Sequence, residues 1–257
     1  MAATAPAPGL LRRVAKHEIP LLVLVALGLA LIIKAFFVQA FFIPSESMEK
    51  TLHGCAGCNG DRVLVNKLVY HFRDVHRGEI VVFRGPDSWK QEVAGPGPAS
   101  NPLTKLLRGV GRAIGAAPPS EKDFIKRVIG VPGDTVQCCD SKGRVVVNGV
   151  SLDEPYLYED DHATFGPIKV PKGRLWVMGD HRGSSADSRA HQDDHQGTIP
   201  IHNVIGRAFV KVWPPSRVGM LPVPRTFLAD GVPLGGGVLA ASGILLVRRR
   251  RRPVAVP

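Results

Sequence analysis

The sequence predicts a mostly β domain of antiparallel sheet lying between two apolar segments, and three observations carry that reading. Short runs rich in Val, Ile and Phe, bounded by Gly, Pro and Asp, recur through the middle of the 257-residue chain. Residues 19–43 and 232–247 are almost wholly apolar. Basic residues sit just outside both, with Arg12, Arg13 and Lys16 before the first and Arg248 to Arg252 after the second. Basic flanks of this kind mark cytoplasmic ends of membrane spans, so both termini are expected inside and the middle outside.

In chain order, residues 1–18 read as a basic cytoplasmic segment and 19–40 as a transmembrane anchor. The apolar stretch from Ile19 to Ile33, then Lys34, then a second apolar run to Ile43, exceeds the ~20 residues needed to cross a bilayer. Lys34 can snorkel to the far headgroups. A cleaved leader is the rival, but its apolar core is shorter and would not run straight into Phe41-Phe42-Ile43-Pro44-Ser45. Residues 41–227 form the outer domain. Its strand candidates are Arg62 to Asn66, Glu79 to Phe83, Asp123 to Ile129, Arg144 to Asn148, Arg174 to Met178 and Val204 to Val212. Asn148-Gly149 is the signature of a type I′ hairpin turn.

Residues 84–121 interrupt this rhythm with a Pro- and Gly-rich, basic insertion, read as a solvated surface feature. Residues 228–247 form a second, shorter span, and 248–257 an Arg-rich cytoplasmic tail. The formal charge of +11 and pI near 9.9 invite a nucleic-acid reading. Much of that excess lies at the membrane flanks, and no nucleic-acid motif accompanies it, so the expected partner is the phospholipid bilayer and not nucleic acid.

Four cysteines fall in two pairs, Cys55-Ala-Gly-Cys58 and Cys138-Cys139. An even number outside the cell suggests disulfides, with the pairing open. A redox dithiol needs a thioredoxin-like context that is missing. A zinc site built from all four is disfavoured because adjacent cysteines make poor ligand spacing. Neither a metal nor a cofactor is expected.

Ser47 lies four residues beyond the apolar run, on the order of 13 Å of extended chain from Ile43. A nucleophile there suits a substrate whose reacting bond is also at the membrane surface, as in the leader of an exported protein. Serine needs a base. His162, His181, His191, His195 and His202 sit in polar loops, whereas Lys126 lies among apolar neighbours in Asp123-Phe-Ile-Lys-Arg-Val-Ile. By alternation Lys126 shares a face with Phe124 and Val128. A lysine acts as base when burial leaves it neutral.

Several ordered blocks resemble bacterial signal peptidase I (leader peptidase), a Ser/Lys endopeptidase family. They are Pro44-Ser-Glu-Ser-Met-Glu-Lys-Thr-Leu52, Gly60-Asp-Arg-Val-Leu-Val-Asn-Lys67, Arg77-Gly-Glu-Ile-Val-Val-Phe83, Lys126-Arg-Val-Ile-Gly-Val-Pro-Gly-Asp134 and Met178-Gly-Asp-His-Arg-Gly-Ser-Ser-Ala-Asp-Ser-Arg189. The resemblance implies that 41–227 is a β-fold protease domain in a bacterial plasma membrane, removing signal peptides after small residues at −1 and −3. It implies Ser47 as nucleophile and Lys126 as general base. It further implies Ser45 and the Ser47 N–H as oxyanion donors, Ser185 orienting the lysine, and Gly179, Asp180, Arg127, Asp187 and Arg189 as supports. Three departures stand out: Lys50 replaces a proline, His181 replaces an asparagine, and the Cys55–Cys58 segment is inserted after the nucleophile block.

Overall fold

The computed structural model describes residues 19–29, 37–55, 57–89, 101–103, 122–159 and 161–228. Twelve strands form within them. In chain order they are β1 Val38–Phe42, β2 Arg62–Asn66, β3 Ile80–Arg84, β4 Asp123–Gly130, β5 Thr135–Cys138 and β6 Val145–Val147. Then follow β7 Val150–Ser151, β8 Phe165–Lys169, β9 Arg174–Met178, β10 Ile199–Pro200, β11 Val204–Trp213 and β12 Gly219–Met220. A large sheet has the order β1-β2-β11-β3-β4-β9-β10, with β12 paired to β11; a small sheet runs β7-β6-β5-β8. Every pairing is antiparallel.

All six strand runs read from the sequence are strands here, with ends shifted by a residue or so. Asn148 and Gly149 both take positive φ, at 53° and 82°, as a type I′ turn demands between β6 and β7. Phe165–Lys169 escaped the sequence reading because its Gly166 and Pro167 argue against a strand. Here β8 is an edge strand, where a missing N–H costs no ladder bond.

One boundary is corrected. Residues 38–40, assigned by hydropathy to the anchor, belong to β1, which pairs with β2 in the register Val38↔Asn66 to Phe42↔Arg62. The apolar run serves two purposes that hydropathy does not separate. Its last third packs Phe41 and Ile43 into the domain core, and β2 takes up the backbone hydrogen bonds. Residues 19–29 are helical, with Leu21, Leu22, Leu24 and Leu27 exposed. Among the described residues no helix is long and apolar enough to cross a membrane. Residues 1–18, nearly all of the 90–121 stretch, and 229–257 with the second span and tail lie outside the described residues.

The strands close over three apolar clusters. Met48 and Leu52, both fully buried, join Phe41, Ile43, Val63, Val65 and Ile80 in the first. Burying a side chain of that size contributes about 1.5–3 kcal/mol. These two therefore pin the turn that carries Ser47 onto the sheet. β4 lies between β3 and β9, with Lys126 opposite Val81. Every residue from Phe124 to Gly130 is buried, so alternation does not give this strand a wet face.

Candidate active site

Ser47 and Lys126 meet inside the protein. The Lys126 Nζ donates a hydrogen bond to Ser47 Oγ at 2.7 Å, and both residues have no exposed surface. They are 79 positions apart in sequence, joined because the 47–52 turn packs over the middle of the large sheet. Ser45 Oγ lies 3.2 Å from Ser47 Oγ on the same turn. A mostly apolar cleft is lined by Phe41, Phe42, Ile43, Pro44, Val82, Asp123, Phe124 and Ile125, of which Pro44 and Ile125 are next in sequence to Ser45 and to Lys126.

The neighbouring strand position carries a second device. Arg127, as buried as Lys126, grips Asp180 with two hydrogen bonds of 2.8 and 2.6 Å and donates to the Gly78 carbonyl at 2.8 Å. Its guanidinium also lies 4.1 Å from the centre of the Tyr156 ring. Asp180 accepts a further bond from Thr51 Oγ1 at 2.6 Å. One carboxylate thus ties the base strand, the 179–189 loop and the nucleophile turn together. Burial pushes the Arg127 pKa down, but Asp180 outweighs it and leaves the guanidinium above its ordinary value.

The 179–189 loop is closed by a second buried pair. Asp187 accepts from the Gly179 N–H at 2.9 Å and from Arg189 Nε and Nη2 at 2.9 and 2.8 Å. Burial raises the Asp187 carboxyl, yet the bonds from Arg189 and Gly179 more than offset it, so it titrates below the usual carboxylate range. Arg189 also reaches Asp161 and the Arg182 carbonyl. Gly179 packs so tightly that a Cβ there would be driven into Ser185 Oγ and the Ser47 carbonyl. The His181 N–H donates to that same carbonyl at 3.1 Å.

One expectation changes. The Ser185 hydroxyl is buried but makes no hydrogen bond among the described residues, so the bond expected to orient Lys126 is not formed. Its Oγ is instead pressed against Gly179, where the tight turn leaves it. The His181 ring, which stands where the resemblance leads one to expect asparagine, is hydrogen-bonded to Glu159 at 3.1 Å and stands edge-on to Tyr158. Two buried pairs went unread in the sequence. Arg182 holds Glu154 with bonds of 2.5 and 3.2 Å and donates to the Gly179 carbonyl, and Arg77 holds Asp134. Their partners are 28 and 57 residues away, and nothing local in the sequence signals them.

The cysteines pair within their own segments, Cys55 with Cys58 and Cys138 with Cys139. The crossed arrangement is ruled out in this structure.

Comparison with known proteins bears on this arrangement. The family model described as "Signal peptidase, peptidase S26" matches residues 16–213, which include both Ser47 and Lys126. The chain belongs to that family. The "Probable signal peptidase I" of Mycobacterium leprae is 44% identical over 235 residues, covering 81% of this chain and 80% of its own. Signal peptidase I of Mycobacterium tuberculosis H37Rv is 43% identical over 227 residues, covering 82% and 76%. Signal peptidase I of Leptolyngbya laminosa is 38% identical over 199 residues, covering 77% and 80%. The peptidase S26 match makes the chain a hydrolase of peptide bonds.

Proposed function

We propose that this chain is a membrane-held serine endopeptidase that removes signal peptides from exported preproteins, cleaving after small residues at −1 and −3. The observation that carries the reading is the 2.7 Å contact between Lys126 Nζ and Ser47 Oγ, buried on both sides, in a peptidase of the S26 family.

In the proposed reaction, Ser47 Oγ attacks the scissile carbonyl while Lys126 Nζ, as the free amine, takes its proton. The oxyanion accepts hydrogen bonds from the Ser47 N–H and the Ser45 hydroxyl. Aligned donors of this kind lower the barrier because they are in place before charge develops. Lys126 then hands the proton to the leaving amine, and an acyl-enzyme on Ser47 remains for water to hydrolyse with Lys126 again as base. No metal or cofactor is needed for any of these steps. The buried Arg127–Asp180 pair supports the role of Lys126 by fixing the strand position beside it. Asp187 and Arg189 hold the loop over Ser47.

Substrate and setting follow from position. Phe41, Phe42 and Ile43 line the cleft at the end of the apolar segment, so a cleavage site at the membrane surface reaches Ser47 without leaving the bilayer's edge. We read 19–37 as the anchor and 38–227 as the extracytoplasmic protease domain. Residues 228–247 form a second span, and the basic ends, 1–18 and 248–257, are cytoplasmic in a bacterial plasma membrane.

Cleavage of a model preprotein in detergent or lipid tests the dyad. Ser47→Ala and Lys126→Ala should each reduce the rate by on the order of 10⁴-fold or more. Retained cleavage in the lysine variant sinks the assignment. Ser45→Ala should cost about 10²-fold in kcat, the usual effect of removing one oxyanion donor.

A further inference from the structure

The loop between the Ser47 turn and β2 holds a cluster that the peptide-bond chemistry does not use. His53, Cys55 and Cys58 bring one ligand atom each to within 4.8 Å of one another, and His53 Nε2 stands 3.8 Å from Cys58 Sγ. On its other side the imidazole Nδ1 is hydrogen-bonded to Glu49. The loop is firmly based. The His53 N–H donates to Asp61 Oδ2 at 2.9 Å, the Asp61 N–H donates to the His53 carbonyl at 2.8 Å, and Arg217 clamps Asp61. Gly54 lies so close to the Ile43 and Ser45 carbonyls that a Cβ would stand 2.6 Å from each. The tip is partly exposed at all three residues, so an ion has access.

We propose that, once the Cys55–Cys58 disulfide is reduced, His53 Nε2, Cys55 Sγ and Cys58 Sγ bind one thiophilic divalent cation of the Zn²⁺ type. A thiol or dithiol reductant supplies two electrons and two protons, turning the disulfide into two thiols while it becomes a disulfide itself. Metal binding then displaces the two thiol protons to solvent, leaving two thiolates and a neutral imidazole on the ion. Zinc bonds of about 2.3 Å to sulfur and 2.0–2.1 Å to nitrogen, at tetrahedral angles, set the ligand atoms roughly 3.5–3.8 Å apart. The His53–Cys58 pair already has that spacing, and Cys-x-x-Cys is the ordinary spacing of a zinc knuckle. Glu49 supplies what a metal-bound histidine needs on its far nitrogen, a carboxylate that fixes the tautomer and turns the Nε2 lone pair outwards. Water takes the fourth position. The sequence disfavours zinc when all four cysteines are taken together. The structure separates the two pairs and adds a histidine to one of them.

The site stands on the loop geometry alone and does not depend on the peptidase reading. The test uses the untagged full chain in detergent, reduced with a water-soluble phosphine (itself converted to the phosphine oxide) and desalted without oxygen. Titration with Co²⁺ should give thiolate-to-cobalt charge-transfer and tetrahedral ligand-field bands that saturate at one equivalent and vanish on adding Zn²⁺. The unreduced chain should give none. Cys55→Ser and Cys58→Ser should each abolish the bands, with circular dichroism confirming that the variants are folded. The Cys138→Ser/Cys139→Ser chain should keep them. His53→Ala should weaken binding, and Glu49→Gln should reduce Zn²⁺ affinity 10- to 100-fold. A reduced wild type without bands, or bands that survive Cys55→Ser, overturns the site. Preprotein cleavage measured on the same samples reports separately on the dyad.

Discussion

Two loops press on the Ser47 turn, and different forces hold them. The 179–189 loop is fixed by buried charge: Asp180 on Arg127 and Thr51, Asp187 on Arg189, and Arg182 on Glu154. The 53–60 loop is fixed at its base by paired backbone and Asp61 contacts and at its tip by a disulfide. In the first loop Asp180 and Arg182 are satisfied by partners from other elements and Asp187 by Arg189 of the loop itself, and removing one member of any pair strands the other. In the second loop the contacts of the tip lie within the segment from Glu49 to Asp61, while Arg217 clamps its base from far along the chain, so the tip can change its chemistry without disturbing the sheet. The comparison teaches that the rigid side of the site is held by buried charge, much of it from distant elements, whereas the tip of the adaptable side is held by a local covalent link.

The largest effect that can break this comparison is at Asp180. Asp180→Ala leaves Arg127 buried without its carboxylate, and breaking such a pair costs about 3–5 kcal/mol. Thermal unfolding should show that loss, together with a large fall in preprotein cleavage. If the melting point barely moves, the loop is not held by its charges. Gly179→Ala comes next. Its methyl group meets the Ser47 carbonyl, which is backbone and cannot turn aside, so a destabilisation of about 1–3 kcal/mol is expected with a disproportionate drop in kcat.

Acidification probes the same loop more gently. The folded Asp187 pKa is depressed, so its contribution is complete above the ordinary carboxylate range near pH 4 and is lost as pH falls through the folded value. Amide exchange at Gly179, whose N–H is held by Asp187, should accelerate below about pH 4 relative to the β4 amides. Asp187→Asn should flatten that dependence; an unchanged profile would remove Asp187 from the account. Glu79 is likewise depressed, burial raising it and Arg73 and the His76 N–H outweighing burial, so acid unfolding of the whole domain keeps part of its slope in the variant.

The smallest effect belongs to the other loop. Replacing both Cys55 and Cys58 by serine opens a four-residue ring, for which chain entropy gives a loss of about 2 kcal/mol or less. Cleavage should stay within a few-fold of wild type. A collapse of activity would show that the tip, and not only the base, presents Ser47. His181→Asn should leave the acid limb of the pH–rate profile where wild type has it, because that ring is engaged with Glu159; a displaced limb would shift the base role to His181.

Much of the fold was legible because strand formation leaves local marks. The Val- and Ile-rich runs of β2, β3, β4, β9 and β11 and the Asn148-Gly149 turn could be read directly. β1 could not, since a half-buried edge strand and the end of a membrane anchor look alike in hydropathy. At the site, Lys126 was recognisable through its block and its apolar neighbours, and Ser47 through its distance from the apolar run.

The sequence by itself determined the alternation, the turn chemistry, the blocks that mark the family, and the two Cys segments. Only the tertiary structure decided that Lys126 Nζ reaches Ser47 Oγ, that each cysteine pairs within its own segment, and that Ser185 forms no bond to the lysine. It also decided that Arg77 meets Asp134 and Arg182 meets Glu154. The physical reason is range. Backbone propensity and hydrophobic period act over a few residues, whereas a buried charge or hydroxyl takes its partner from whichever element the packed sheets bring within about 3 Å.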